Sequence, residues 1–533
     1  MKSLFLLLFF VIMIQSCYPQ LRIIYGIKQD GKEVKGDSVV VYISKESQRI
    51  YRPTLNKESQ YIDFIKKQTV QTLEIDKANL YSFRKNIEFK NLEVKHGVEF
   101  ILNFPCVQTN IKLRSNSIDV FYCAISEYKG APGLYLANIP GLVLKVIRNG
   151  NYEIYAKQID TSDGYITESL FPRSNLTELN EAEFQQKLIE SRYKTFTVFE
   201  NEILSFNDSF TKDFTKEVMK LSKGTVVLKK VAMPKTTEHT IVIAEITVRS
   251  NGDAYDRTGS VFAIPITDKQ TLYDGLKNGL DVLPKYKDGK WGGFTLTENY
   301  YPPVELVRFI TSFGAGWFGK DIKINGLNWK DSITYRLDVS NIVRALGKNL
   351  FIGAFVGNWD KGGHLLSLRL KYFEESEYEN NSKWFLPLFS TLNIMEMEGQ
   401  EYGNIFKTDT LSVDAVIPEG IKNPVLRFIT TGHGNDEFTP RMHTVLVDGK
   451  EVFKLVPWRT DCGTFRENNP ASGNFLNGMS SSDYSRSNWC PGMVVNPYEI
   501  RLDGLGPGKH NFKIIIECGD NSYWNVTGTL IDN

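Results

Sequence analysis

"TIVIAEITVRSNGDAYDRTGSVFAI", residues 240–264, is the stretch whose reading decides the fold class. Two runs rich in β-branched and apolar residues, 240–248 and 260–264, flank Gly252-Asp253-Ala254-Tyr255-Asp256-Arg257. Such runs read as strands, and a short polar connection between them reads as a turn. Asp and Gly are ordinary turn formers, so a solvated turn accounts for them. It does not account for two acids and an arginine gathered around a tyrosine. The competing reading is an active-site acid held on a rigid sheet.

The same grammar runs through the chain. Short alternating segments separated by turn signals dominate, the pattern of β-sandwiches and jelly rolls. Asp30-Gly31, Asn149-Gly150 and Asp448-Gly449 each sit between strand-like runs and predict two-residue hairpins. Helices are few. Phe210, Phe214, Val218 and Leu221 recur at helical spacing and predict a helix closed by Gly224 as its C-cap. The polar segment 175–192 predicts a helical linker, with Asn180 and Glu183 placed as a capping pair. An acidic stretch, 373–382, marks a softer boundary. The expected organisation is 1–17, 18–192, 193–375 and 376–533.

A chain of 533 residues exceeds one core and suggests about three domains. Its formal charge of +1 offers no broad basic surface, which argues against nucleic-acid binding and against polybasic membrane docking. Lys2 precedes an apolar run, 4–14, that is too short to span a bilayer and suits a signal-peptide core. The following Ser16-Cys17 resembles a lipoprotein cleavage box, with plain secretion as the alternative. Either way the protein is expected to be secreted or periplasmic, touching a membrane only through lipidation of Cys17.

Export permits disulfides. Beyond Cys17 lie Cys106, Cys123, Cys462, Cys490 and Cys518. Five is odd, and the local pairs Cys106–Cys123 and Cys462–Cys490 are expected. No CxxC, HxH or HxxxH spacing occurs, so neither a metal nor a cofactor is expected.

The richest polar cluster lies late in the chain. Thr431-Gly432-His433-Gly434-Asn435-Asp436-Glu437-Phe438 leads into the His443 hairpin. Trp458-Arg459-Thr460-Asp461-Cys462 and Arg486-Ser487-Asn488-Trp489-Cys490-Pro491-Gly492 follow. Loops mounted on a sandwich are where binding residues concentrate.

Together these runs resemble the peptide:N-glycosidase F family, exported bacterial amidases that remove N-linked glycans from asparagine. The 252–257 loop is similar to that family's Asp-x-aromatic-Asp-Arg loop. Residues 437–445 are similar to its Glu-aromatic-x-x-Arg-x-His-Thr segment, and Trp489-Cys490-Pro491-Gly492-Met493 is the most specific piece. The resemblance covers about 195–533. It implies an all-β fold of two adjacent eight-stranded antiparallel jelly rolls with the active site in the groove between them. Here they are preceded by a separate β-rich N-terminal domain.

Carried over residue by residue, the resemblance makes Asp256 the catalytic aspartate and Glu437 the glutamate from the second roll. Asp253, Tyr255, Arg257, Trp359, His433, Phe438, Arg486 and Trp489 are the implied substrate-binding residues. Tyr255 and Phe438 stand where the family has tryptophan, and the Cys462–Cys490 bridge has a family counterpart. The family's third acid aligns with Gly357, and Asp360 is the nearby residue able to compensate. Losing that side chain would also widen the groove, making room for α1,3-fucose on the sugar nearest the asparagine.

The scissile bond would be the amide joining the innermost GlcNAc to the Asn side chain, leaving Asp and a glycosylamine. Asp256 would activate water as a general base. Glu437 and Arg257 would bind the sugar and polarise the carbonyl. Two other readings stand beside this one: an endo-acting glycosidase using Asp256 and Glu437 as its carboxylate pair, and a non-catalytic glycoprotein-binding protein. The partners implied are N-glycosylated peptides and glycoproteins, met by a monomer.

Overall fold

The two runs of 240–264 form strands, Thr240–Ser250 and Thr258–Pro265, but they do not pair with each other. They belong to different sheets, so residues 251–257 arch from one sheet to the other. This is seen in a computed structural model that describes residues 20–55, 57–88, 92–162, 170–287, 289–375 and 378–532. The leader and Cys17 lie outside the described residues.

The chain divides into two compact units, Met1–Arg192 and Tyr193–Asn533. The N-terminal unit is built on one twelve-stranded sheet among the described residues. Gln20–Gln29 lies inside it, paired antiparallel with Lys32–Ile43 on one side and Tyr152–Ser162 on the other. Asp30-Gly31 and Asn149-Gly150 close hairpins with both residues at positive φ, the conformation that two-residue turns require. The capping box of Asn180 and Glu183 starts the helix Glu181–Glu190. Cys106 and Cys123 lie buried on adjacent antiparallel strands, yet both thiols are free, correcting the expected disulfide. Cys106 Sγ is engaged 3.5 Å from the Phe104 carbonyl rather than bonded to its neighbour.

The C-terminal unit contains two sandwiches. In the first, the strands Lys194–Leu204, His364–Glu374, Thr240–Ser250 and Ile333–Asp338 form one sheet in that order. The facing sheet runs Val218–Leu221, Val226–Ala232, Asn349–Val356, Thr258–Pro265, Val304–Ile310 and Val494–Val495. The last of these comes from beyond residue 376, so the second half of the unit lends a short strand to the first. Between the sheets, Val242, Ala244, Ile246 and Val248 meet Val261, Ala263, Val307 and Phe309.

The second sandwich holds eight strands among the described residues, four per sheet. Its core is continuous with the outer face of the first sandwich: Phe262, Ile264 and Phe355 join Leu388, Phe428 and Trp524 in one cluster. Thr258–Pro265 is therefore buried on both faces, which explains why its sequence is apolar without interruption rather than alternating. Polar groups also cross this interface. The buried Glu305–Arg308 pair takes hydrogen bonds from Ser260 and Thr527 and gives one to Thr431.

The helix expected over Phe210–Leu221 does not form. Val218–Leu221 is a strand paired with Val226–Ala232. Ahead of it, Asn207 and Asp213 accept the N–H groups of Ser209 and Thr215, and such local turns compete with helical hydrogen bonding. Gly224, at φ +91, ends a tight turn rather than a helix.

Candidate active site

The arch 251–257 is fixed by its own side chains. Ser250 Oγ donates to the Asp253 carbonyl at 2.5 Å and accepts the Gly252 N–H at 3.1 Å. Asp253, fully buried, accepts the Tyr255 N–H at 3.0 Å and grips the Arg257 guanidinium, Nε at 2.8 Å and Nη2 at 3.3 Å. Thr311 Oγ1 accepts the Arg257 N–H at 2.8 Å and donates to the Tyr255 carbonyl at 3.1 Å. Asp253 thus holds the loop and Arg257, while the Asp256 side chain is left to face a cleft.

The second half repeats the device. Val425–Gly434 runs out of its sheet into the tight turn Asn435–Phe438. Buried Asp436 accepts Arg441 Nε at 2.7 Å, Trp524 Nε1 at 2.9 Å and the Gly519 N–H at 3.0 Å. The next residue, Glu437, faces the same cleft as Asp256. Each exposed acid thus has a buried aspartate close by in sequence that anchors its turn.

Arg486 bridges the halves. It is buried, forms an ion pair with Glu437, and its Nη1 lies 3.9 Å from Asp256 Oδ2. The guanidinium sits between the rings of Phe438 and Trp489, 4.6 Å from each centroid. Nη2 donates to the Ser481 carbonyl at 2.6 Å. The Cys462–Cys490 disulfide ties down the loop that carries Arg486 and Trp489.

Burial pushes the Asp256 carboxyl up, opposed by Arg486 and then Arg257. His433 is sandwiched between Trp489 and Tyr523, 5.4 and 5.1 Å between centroids. Burial, with Arg308 and Arg486 adding to it, holds His433 down to about 3, so the ring is neutral. Its Nε2 lies 3.0 Å from Thr431 Oγ1 and 3.3 Å from Thr258 Oγ1. His443 is likewise buried and packs edge-on against Trp524.

Asp256, Arg257, Gly357, His433, Glu437 and Trp489 line one cleft of about 150 Å³. Three predicted aromatics lie outside its lining and are exposed. Tyr255 lies under the Arg257 guanidinium, Trp359 leans on Phe206, and Phe438 covers Arg486. Asp360 does not compensate for the glycine at 357. Its Oδ1 accepts the N–H groups of Gly362 and Gly363 at 2.7 and 3.0 Å, so it shapes a turn. The room freed at Gly357 is not open either. A Cβ there would lie 3.1 Å from the Phe355 ring and 3.8 Å from Glu396 Oε2.

Glu396, Asn393, Asn525 and Tyr523 also line the cleft, and sequence reasoning missed them. Asn525 had registered only as the start of an Asn-Val-Thr glycosylation sequon. Among the described residues, no group of His, Cys, Asp and Glu is arranged to hold a metal ion. The cleft can bind a polar, uncharged ligand between two carboxylates and two guanidiniums, and it can activate water on the Asp256 side.

Residues 195–372 match the model for "Peptide-N-glycosidase F, N terminal", and 401–531 match "Peptide-N-glycosidase F, C terminal". Residues 24–185 match "N-glycanase peptide, N-terminal domain". A search of curated proteins returned no match. Among solved structures, PNGF-II in a P21 crystal form is 35% identical over 96% of this chain and 99% of its own, with a TM-score of 0.89. The C2 form of the same protein is 35% identical over 97% and 98%, with a TM-score of 0.81. PNGase F, a glycosylasparaginase from Flavobacterium meningosepticum, is 16% identical over 64% of this chain and 96% of its own, with a TM-score of 0.43. With an arched acid loop, a facing glutamate and an added N-terminal unit all matched over nearly its full length, the chain belongs to the peptide-N-glycosidase F family.

Proposed function

We propose that this amidohydrolase cleaves the amide between an asparagine side chain and the innermost GlcNAc of an N-glycan, leaving aspartate and a glycosylamine. The observation that carries the reading is the meeting of Asp256 and Glu437, from opposite sandwiches, in one cleft bridged by Arg486. Asp256 acts as general base toward water. Burial strengthens it as a base, and the neighbouring guanidiniums favour its ionised form. Arg257, immobilised by Asp253, offers a fixed cation where oxyanion charge develops. Glu437 and the polar wall of the cleft bind the sugar. His433, neutral and wedged between aromatic rings, shapes the wall and stays outside the proton transfers.

Mass analysis of a treated glycopeptide tests this. Conversion of Asn to Asp supports the amidase, and a GlcNAc stub would instead mean glycosidase chemistry. An unchanged peptide that still binds would mean a binding protein. Asp256→Ala should abolish the conversion, and full activity in that variant would overturn the assignment of the base.

A further inference from the structure

Glu396 starts a short turn in the second half of the unit, Glu396–Glu398, and its side chain reaches the cleft opposite Gly357. Among the described residues its carboxylate has no hydrogen-bonding or ion-pairing partner. Beside it the cleft wall holds Asn393 and Asn525, both buried, each with an Oδ1 that lacks a partner. Buried polar atoms of this kind are normally satisfied, so three unused acceptors on one wall call for a ligand rich in hydroxyl or amide donors. Burial, with Glu401 adding to it, pushes the Glu396 carboxyl up, while Arg257 across the cleft works against this.

The glycine is the complement of this arrangement. Any side chain at 357 would meet Phe355 and then the Glu396 carboxylate, and an acid there would meet a like charge. Glycine leaves the place to an acid arriving from the opposite sandwich.

We propose that Glu396 is a third substrate-contacting carboxylate of the cleft, accepting hydroxyl hydrogen bonds from the sugar that carries the asparagine. Asn393 and Asn525 complete the same wall. A carboxylate contact to a hydroxyl both orients the sugar and rejects ligands that lack the donor, because the acid would then stay unpaired.

This role rests on the amidase reading above, and two measurements keep their failures apart. One is glycopeptide kinetics for the wild type, Glu396→Gln, Glu396→Ala and the control Glu398→Gln. Glu398 sits on the same turn but pairs with Lys212 at 3.3 Å. The other is calorimetric binding of N,N′-diacetylchitobiose to the full chain, which needs no turnover. Glu396→Gln is expected to lower kcat/KM and chitobiose affinity by about ten- to a hundredfold, the loss of one charged hydrogen bond. Glu398→Gln should stay within about twofold of the wild type on the same scale. Adding Gly357→Glu to Glu396→Gln should recover part of the loss by restoring a carboxylate from the other side. Chitobiose binding that ignores Glu396, or that is absent in the wild type, overturns the proposal. Glu396-dependent binding without cleavage supports the contact and overturns the amidase reading instead.

Discussion

Asp256 and Asp253 stand three residues apart and do opposite work. Asp256 needs its charge to act as a base, in a place where burial favours the neutral form. Activity should therefore fall on acidification at a higher pH than an ordinary carboxylate would give, as read from the acid limb of kcat/KM. The sign for stability is the reverse. A group whose pKa rises on folding stabilises fully below its unfolded pKa and loses that contribution as pH rises through the folded value. Asp256→Asn is thus expected to raise Tm near neutrality while removing turnover, and calorimetry beside an activity assay checks both. Asp253→Ala should keep the fold yet free Arg257, lowering kcat/KM about ten- to a hundredfold through lost positioning. At this scale Asp256, Glu437 and Arg486 were legible because they sit in runs of rare residue types. Glu396 was not: nothing around it in sequence separates it from a surface acid, and only the fold carries it to the cleft.

Among the elements, the arch 251–257 matters most. Thr311 ties its backbone at two points, so Thr311→Val should loosen the loop. Activity is expected to fall more than stability, with Tm down only a few degrees for a loss of about 1–2 kcal/mol. The strand Thr258–Pro265, buried on both faces, is the opposite case. Phe262→Ala should cost about 3–5 kcal/mol in urea unfolding, because neither side can collapse freely. Hairpins at Asp30-Gly31, Asn149-Gly150 and Asp448-Gly449 were readable because two residues dictate a turn by themselves. The arch was harder, since strands adjacent in sequence joined different sheets and that choice depends on distant partners. The helix over Phe210–Leu221 failed for a related reason: apolar spacing outlined a stripe, but Asn207 and Asp213 diverted the backbone ahead of it.

Over the whole molecule, titration of buried groups links fold to function. His364, His433 and His443 are all buried and lowered to about 4, 3 and 3, below the ordinary 6.5. The unfolded chain binds these protons first, so stability should fall as pH drops from about 6.5 toward 4. The slope should approach about 1.4 kcal/mol per pH unit for each histidine, and urea unfolding at a series of pH values measures it. The Glu305–Arg308 pair, which joins the two sandwiches through Ser260, Thr431 and Thr527, has a separate place in this unit. Removing only one partner strands a charge between two cores. The sandwich class was legible from alternation alone. That the second half lends Val494–Val495 to the first was not, because a two-residue strand carries no pattern.

Arg486 changes how a pH profile of this protein should be read. One guanidinium serves two acids, so a proton taken by Glu437 releases the cation toward Asp256 and makes that acid harder to protonate. The three groups titrate as one body, and neither limb of a rate profile belongs to a single residue. Swapping Glu437 for glutamine would move a midpoint commonly credited to Asp256, although Asp256 itself is untouched.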